Sequence, residues 1–341
     1  MARRTKCSRP EPKRAGAACC ITVYFANVGQ GDCTLVIGEA DSLAVVVDCT
    51  CFREALGILE SAGWPDLSLM VSHWHEDHVS GVGHLLRNYK GRVRALYYND
   101  FARLDNKSGT VGASQVHGAT LFAMIDAARK RKAQLVPSLR RGDSLFTAHD
   151  TNVAVLYPDP AELGDAIARQ NMNDASAVTE IRCGDVVVLV GADLPPQRWL
   201  DLVGAGRLPR ANVVKVPHHG ARCPEGFVES LAAALRPDLA VVSVGSGNKY
   251  KHPDADCLRL WASSCRILCT QVTERCCPTG LPARDQVMAL LKSVRYQASA
   301  RGCPCAGTVV IRTDGREYSV LPDEDEHRAV ISLMAAPQCH V

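Results

Sequence analysis

Val71-Ser72-His73-Trp74-His75-Glu76-Asp77-His78 places three histidines and one aspartate within six residues. Apolar residues dominate the segment 66–72, which predicts a short strand, so the run begins where a strand ends. Imidazole nitrogens and carboxylate oxygens are ligands of zinc and similar divalent metals. Ligands this close in sequence cannot surround one ion. We therefore expect the first two histidines on one ion, and the aspartate and last histidine on a second. An ordinary polar loop is the alternative, which the scarcity of histidine (11 of 341 residues) disfavours.

The run resembles the signature of the metallo-β-lactamase superfamily, and further motifs of the chain extend this resemblance. They are Asn27-Val-Gly-Gln-Gly-Asp32, Val46-Val-Asp48, Asn173-Asp-Ala-Ser176-Ala-Val178, Leu189-Val-Gly-Ala-Asp193-Leu, Lys215-Val-Pro-His218-His219-Gly220, and Val242-Ser-Val-Gly245 through Tyr250-Lys-His252-Pro253. In this order they resemble the hydrolase domain of the ComEC competence-channel family, a metal-dependent nuclease domain fused to a DNA-uptake channel. The resemblance implies an α/β fold of the αββα sandwich type, whereas the spacing of apolar segments alone indicates only alternating strands and helices.

The resemblance also implies how the ligands are shared between two metals. Asp193, near the end of a predicted strand over 186–190, is the candidate carboxylate that bridges or anchors the ions, and His218 or His219 closes the second site. The other histidine of that pair contacts substrate or supports a ligand, and Asp48 orients the metal loop. A helix N-cap at Asp193 and a surface turn at the histidine pair are the alternatives. The predicted metal ligands are His73, His75, Asp77, His78, Asp193, His218 and His219.

The sequence departs from the superfamily pattern at the first metal. Most members add a further histidine there, but His117 and His149 lie in no fitting motif, and Asn173-x-x-Ser176 takes that place in the series. The first ion would then be held weakly by the first two histidines of the run and Asp193. One or two divalent ions are expected, with Mn²⁺ as an alternative to Zn²⁺.

The resemblance implies that the substrate is a phosphodiester. We predict hydrolysis by metal-activated water, with a nuclease as the leading interpretation and DNA as the favoured nucleic acid. The predicted catalytic residues are Asp77, Asp193, His252, Asn173 and Ser176, and the predicted substrate-binding residues are Lys249, Tyr250 and Lys251. Two alternatives stay open: a phosphodiesterase for small molecules such as phosphocholine esters, and a non-catalytic binding module stabilised by metal.

Charge is unevenly placed along the chain. Residues 1–14 hold six Lys/Arg and one Glu, although the net charge of the whole chain is only +3. We predict a flexible basic tail over 1–19, which either holds phosphate backbone or is simply solvated. No apolar run approaches the roughly 20 residues that span a bilayer, and no secretory signal pattern is present, so a cytoplasmic location without membrane contact is expected. No pattern indicates a protein partner.

The sixteen cysteines are concentrated toward the C-terminal part of the chain. A cytoplasmic location predicts reduced thiols, some of them bound to metal. We predict a hydrolase domain over 20–322 with a Cys-rich insert at 276–305, followed by a C-terminal tail over 323–341. Close cysteine pairs suggest an additional structural zinc in the insert, and free buried thiols are the alternative. The candidate ligands are Cys269, Cys276, Cys277, Cys303 and Cys305.

Overall fold

The computed structural model describes residues 21–99, 114–294 and 302–339, and these form two β-sheets covered by helices. The strands are β1 (Ile21–Phe25), β2 (Thr34–Gly38), β3 (Leu43–Val47), β4 (Asp66–Met70), β5 (Val93–Tyr98), β6 (Gln134–Pro137), β7 (Ser144–Ala148), β8 (Thr151–Tyr157), β9 (Val178–Cys183), β10 (Val186–Val190), β11 (Val213–Lys215), β12 (Leu239–Val242), β13 (Arg266–Cys269), β14 (Val309–Thr313) and β15 (Tyr318–Leu321). The α-helices are α1 (Phe52–Ser61), α2 (Glu76–Val79), α3 (Val82–Asn88), α4 (Ser114–Lys130), α5 (Pro160–Ala168), α6 (Pro196–Gly204), α7 (Phe227–Leu235), α8 (Ala255–Ala262), α9 (Arg284–Leu290) and α10 (Glu324–Ile331).

The first sheet has eight strands in the order β15-β14-β1-β2-β3-β4-β5-β6, and the second has seven in the order β13-β12-β11-β10-β9-β8-β7. Each sheet combines antiparallel hairpins with a parallel section, which is β3–β6 in the first sheet and β10–β13 in the second. Every residue of β2 and β10 is buried. Strands covered on both faces carry continuous apolar runs, which explains the sequence of β10, Val-Val-Val-Leu-Val.

Three apolar clusters define four layers. The cluster between the sheets joins Val36 and Val45 of the first sheet to Val188 of the second. A second cluster packs α1, α3 and α4 on the outer face of the first sheet. The third packs α6, α7 and α8 on the outer face of the second sheet, around Trp199 and Trp261. This arrangement confirms the predicted αββα sandwich.

The parallel sections determine where polar loops can meet. The carboxyl ends of neighbouring parallel strands lie at the same edge of a sheet, so the loops after them converge. In the first sheet these loops follow β3 and β4, and in the second they follow β10, β11 and β12. All the motifs that begin at these strand ends are thereby brought to one edge of the sandwich.

The C-terminal segment is not the predicted tail. Asp323 caps α10, because its side chain accepts a hydrogen bond from the Glu326 backbone N–H at 2.9 Å. His327 and Val330 of this helix are fully buried. The prediction of a tail is therefore wrong for 323–339, and burial of an apolar helix face explains why this segment is ordered.

Other expectations need smaller corrections. Within the predicted Cys-rich insert, the structure has the short helix α9, which ends at Leu290. Twelve described cysteines are free, whereas Cys183 is disulfide-bonded, so the expectation of reduced thiols does not hold at that position. The predicted basic tail over 1–19 lies outside the described residues. No helix in the described ranges is both long and apolar enough to cross a membrane.

The packing of α10 predicts a loss of stability when its buried face is truncated. Val330→Ala should lower the free energy of unfolding by about 1–3 kcal/mol, because it leaves a cavity in the outer core of the second sheet. Arg328→Ala is the matched control on the same helix, since Arg328 is exposed and pairs only with Asp325, and it should change stability by less than about 0.5 kcal/mol. Urea unfolding measures both, and equal effects would contradict the packing described here.

Candidate metal centre

Asp48, directly after β3, holds the histidine run in place. Its Oδ1 accepts from the Ser72 backbone N–H at 2.7 Å, and its Oδ2 accepts from the Ser72 hydroxyl at 2.6 Å. Oδ2 also lies 2.7 Å from Nδ1 of His78. A carboxylate can only accept, so Nδ1 of His78 carries the proton and its Nε2 is left with a free lone pair.

The rings of His73 and His75 face one point. The Ser72 hydroxyl lies 3.1 Å from Nδ1 of His73. Because this hydroxyl donates its own hydrogen to Asp48, its oxygen can accept a hydrogen bond from the N–H at Nδ1 of His73. Nε2 of His73 is then free as a ligand. It lies 3.1 Å from Nδ1 of His75 and 3.8 Å from Oδ2 of Asp193. These three residues can hold one ion.

Three further side chains meet on the other side of Asp193. Nε2 of His78 and Nε2 of His219 lie 3.4 Å and 3.6 Å from Oδ1 of Asp193, and Nε2 of His219 lies 3.6 Å from Oδ2 of Asp77. Nδ1 of His219 donates to the Ser243 carbonyl at 2.8 Å, which leaves its Nε2 free. The structure therefore brings together the second predicted ligand set, and Asp193 faces both sets.

Of the two adjacent histidines, His219 is buried at this centre and His218 is half-exposed at its edge. Nε2 of His218 nevertheless lies 3.7 Å from Oδ2 of Asp193, the oxygen that also faces the first set. Both histidines have positive φ, 50° and 54°. Ala192 and Lys251 also have positive φ, 43° and 58°. These four residues hold left-handed backbone conformations that cost energy in residues other than glycine.

The donor atoms fit a divalent metal. Ligand atoms about 2.0–2.1 Å from a tetrahedral ion lie about 3.3 Å from one another, close to the separations found here. Nε2 of His78, Oδ1 of Asp193 and Nε2 of His219 are buried and have no hydrogen-bond partner among the described residues. Buried polar atoms without partners are costly, and a bound cation would satisfy all three. A mixture of imidazole and carboxylate ligands suits both zinc and manganese.

The electrostatic field at the centre also favours a cation. Burial lowers the pKa of His78, but the carboxylates of Asp193 and Asp48 raise it well above its ordinary value. Burial raises the pKa of Asp193, but His78 and His219 more than offset this and hold it well below its ordinary value. Burial, reinforced by His78, keeps the pKa of His73 well below its ordinary value, so that ring is neutral and can act as a ligand.

Two functional residues, Asp32 and Lys215, were missed by sequence reasoning. Asp32 lies 3.7 Å from Nδ1 of His78 and 3.6 Å from Nδ1 of His219, and it forms a 2.5 Å ion pair with the buried Lys215 ammonium. The Asp32 carboxylate lies close enough to the ligand atoms of His78, Asp193 and His219 to be counted with them. Its nearest ring atoms, however, are the two Nδ1 nitrogens, which point away from the metal position. It therefore supports the two rings from behind.

Gly31 explains why the loop before Asp32 needs glycine. Its φ is 132°, and a Cβ there would lie 2.4 Å from Oγ1 of Thr50 and 2.5 Å from the Asp77 carbonyl oxygen. The Asp32 backbone N–H donates to the same Asp77 carbonyl at 2.9 Å. The close approach thus fixes the loop of the Val-Gly-Gln-Gly-Asp motif against the metal loop. The motif was a signal for Asp32, but alone it predicts only a turn.

A cleft of about 450 Å³ opens above the centre. Its lining consists of Gln30, Thr50, His75, Glu76, Asp77, Ser80, Asp193, His218, His219, Lys249, Tyr250 and His252. The Tyr250 side chain is 52% exposed, its ring stacks on His252 at 5.7 Å, and the Lys249 ammonium lies 5.0 Å from its centre. Burial, followed by His218, lowers the pKa of His252 to about 4, so this ring is neutral at neutral pH.

Two predicted catalytic residues, Asn173 and Ser176, and the predicted substrate-binding residue Lys251 are not in that lining. Asn173 and Ser176 lie in a segment beside the metal loop, where the Ala177 N–H donates to the Ser72 carbonyl at 3.3 Å. Asn173 Oδ1 and Ser176 Oγ are buried and have no hydrogen-bond partner among the described residues. His149 is exposed and pairs with Asp41 at 3.2 Å, outside the two ligand sets.

Known proteins resemble this chain over different shares of its length. The family model of the metallo-beta-lactamase superfamily matches residues 26–168. ComE operon protein 3 of Bacillus subtilis (strain 168) is 27% identical over 196 residues, which cover 57% of this chain and 22% of that protein. Lactamase-like protein GME11357 of Pestalotiopsis microspora is 31% identical over 97 residues, 28% of this chain and 29% of that protein. The solved metallo-beta-lactamase fold protein YhfI from Bacillus subtilis aligns with 73% of this chain and 96% of its own, at 10% identity and a TM-score of 0.44.

These matches confirm the predicted resemblance to the metallo-beta-lactamase superfamily over residues 26–168 and the predicted similarity to a ComE operon protein. The chain spans less than a third of the length of the two curated relatives.

The contacts of Asp48 predict that it controls metal affinity without being a ligand. Asp48→Asn replaces one acceptor oxygen by an NH₂ group, which opposes either the Ser72 donors or the His78 Nδ1–H. We expect metal affinity to fall about 10–100-fold with the fold retained, measured by competition with a chromophoric chelator. Asp41→Asn is the matched control, because Asp41 pairs with the exposed His149. An unchanged affinity in Asp48→Asn would contradict the role assigned to this carboxylate.

Proposed function

Because residues 26–168 form a metallo-β-lactamase superfamily domain, we propose that this chain is a metal-dependent phosphodiester hydrolase that acts as a nuclease on DNA. One observation carries the proposal. Two sets of buried ligands share Asp193 at the floor of a cleft, and the rim of that cleft presents a lysine and an exposed aromatic ring. The first feature supports hydrolysis, and the second supports a substrate that has both phosphate and bases.

Divalent metals bound at the two ligand sets would lower the pKa of a water molecule and stabilise the charge that develops on a phosphoryl oxygen. The chain's own residues fix the geometry for this. Asp193 faces both sets, so its carboxylate sets the distance between them. Asp48 and the Ser243 carbonyl set the orientation of His78 and His219, so little reorganisation is needed during the reaction.

His252 and His218 lie where the cleft meets the centre. Their rings are 5.8 Å apart, and the lowered pKa of both, caused mainly by burial, keeps them neutral at neutral pH. A neutral imidazole can donate one hydrogen bond to a phosphate oxygen, and it carries no positive charge that would repel a bound metal ion. We assign them to positioning of the scissile phosphate.

Lys249 and Tyr250 support a nucleic acid over a small substrate. Lys249 places a cation beside the path of the phosphate backbone, and Tyr250 offers an exposed π-face on which a base can stack. The volume of the cleft would also admit a small phosphodiester, which is the competing candidate. The two candidates differ in whether rim residues matter for turnover.

Removal of a ligand should abolish hydrolysis. Asp77→Ala and His78→Ala should each reduce cleavage of bis-p-nitrophenyl phosphate and of linear DNA by about 100-fold or more, because the second ligand set is incomplete. EDTA should stop the wild-type reaction. His149→Ala, a histidine outside the centre, is the control and should retain activity. Circular dichroism checks the fold, and full activity in either ligand variant would refute the site.

Truncation of the rim should separate the two substrate classes. Lys249→Ala and Tyr250→Ala should each raise KM for single-stranded DNA about 5-fold or more, since stacking on an aromatic ring contributes about 1–3 kcal/mol per base. Turnover of the chromogenic diester should stay within about two-fold, because the ligand sets are untouched.

Lys90→Ala is the matched control for the rim, because Lys90 also lies over an aromatic ring, 5.1 Å from Trp64, and neither residue lines the cleft. It should leave both substrates unaffected. A preparation with bound metal that cleaves small diesters, but shows no dependence on Lys249 or Tyr250 with DNA, would favour the small-molecule enzyme.

A further inference from the structure

A second cluster of metal-binding side chains lies at the C-terminal end of the chain. Cys305, His327 and Cys339 bring their sulfur and nitrogen atoms within 4.8 Å of one another. Cys269 lies beside this group, because the backbone N–H of Ala306, next to Cys305, donates to the Cys269 carbonyl at 2.9 Å. All four side chains are almost completely buried, with exposures of 0–3%.

The separations fit a tetrahedral zinc ion. With Zn–S about 2.3 Å and Zn–N about 2.0–2.1 Å, two sulfur ligands lie about 3.8 Å apart, and a sulfur and a nitrogen lie about 3.6 Å apart. The Cys305 and Cys339 sulfurs are 3.8 Å apart, and the Cys305 sulfur lies 3.4 Å from Nε2 of His327. Nδ1 of His327 has no hydrogen-bond partner among the described residues, so the ring is held only through Nε2, on the side of the thiols.

The cluster joins four segments that are distant in sequence. Cys269 ends β13, Cys305 precedes β14, His327 lies in α10, and Cys339 follows that helix. The backbone already aligns the first two, because Cys305 N–H donates to the Thr270 carbonyl at 3.1 Å. An ion bound to all four would therefore fasten α10 and the residues after it to the edge of the second sheet.

This ligand set differs from the one predicted from sequence. Cys269 and Cys305 are retained, but Cys303 donates toward the Pro304 carbonyl at 3.7 Å, and the Cys276 sulfur lies 3.9 Å from the Thr273 hydroxyl. Of the five predicted ligands, Cys305 is the one that belongs to the group of atoms within 4.8 Å among the described residues, and Cys269 adjoins it through the backbone pairing of the two segments. The cysteine pairs that are close in sequence therefore do not form the cluster seen in the structure.

We propose that Cys269, Cys305, His327 and Cys339 form a structural zinc site, separate from the His/Asp centre. Three thiolates and one imidazole with no open position make a closed coordination sphere, which is typical of structural zinc. Zinc binding releases the thiol protons and contributes directly to folding.

Cobalt substitution tests the proposal on the whole wild-type chain. Apo protein reloaded with Co²⁺ should show the near-ultraviolet charge-transfer band of thiolate-bound cobalt, because the cysteine cluster supplies sulfur ligands and the ligand sets of the His/Asp centre contain none. The band should persist in Asp193→Asn, whose change lies in the other centre. Absence of the band in folded wild-type protein would overturn the proposal without any need for a cysteine variant.

Zinc content identifies the ligands. Elemental analysis of protein purified without chelator should show that Cys339→Ser and His327→Ala each lose one zinc per chain relative to wild type. The double variant Cys276→Ser/Cys277→Ser is the matched control, since it removes two nearby buried cysteines, and it should keep the wild-type zinc content. Loss of zinc in the control alone would overturn the assignment. So would a disulfide from Cys339 to Cys269 or Cys305 found by thiol counting in denatured, unreduced protein.

Discussion

The Asp48 carboxylate is the constraint on which the metal centre depends. It fixes the backbone and side chain of Ser72 and the ring of His78, and through the Ser72 hydroxyl it also orients His73. One buried group at the end of β3 thus sets the ligands of both predicted ions, which arise from the loop after β4. Because β3 and β4 are parallel neighbours, the register of their pairing places Asp48, at the end of β3, next to the loop that follows β4.

The net negative charge of the buried side chains at this centre favours the binding of metal ions. With their side chains ionised, the carboxylates of Asp32, Asp48, Asp77 and Asp193 and the Lys215 ammonium carry a net charge of −3 in a region that is almost entirely buried. Uncompensated charge of that size cannot be kept out of water. Two bound divalent ions would change this sum to +1 and would stabilise the carboxylates.

Local patterns were readable in the sequence, and long-range assemblies were not. The histidine run identifies itself because its ligands lie within six residues, and the strand ends before Asp193 and His218 placed those residues at the same edge. Asp32 was missed because its motif alone predicts a turn, and only the fold shows its carboxylate behind two rings. The helix α10 was missed because its sequence is mostly charged, yet Asp323 with Glu326 three residues later is a capping pattern that marks a helix start.

The cysteine cluster and the catalytic cleft are connected through a short path of hydrogen bonds. Gln271, two residues after Cys269, accepts from the Ser246 N–H at 2.8 Å and donates to Asn27 at 2.8 Å. Ser246 precedes the loop that carries Lys249 and Tyr250, and Asn27 begins the loop that ends at Asp32. Disorder of the segment around Cys269 and Cys305 would therefore loosen the rim of the cleft, while Asp48 would still hold the histidine run. The C-terminal segment can thus influence the shape of the cleft although none of its described residues lines it.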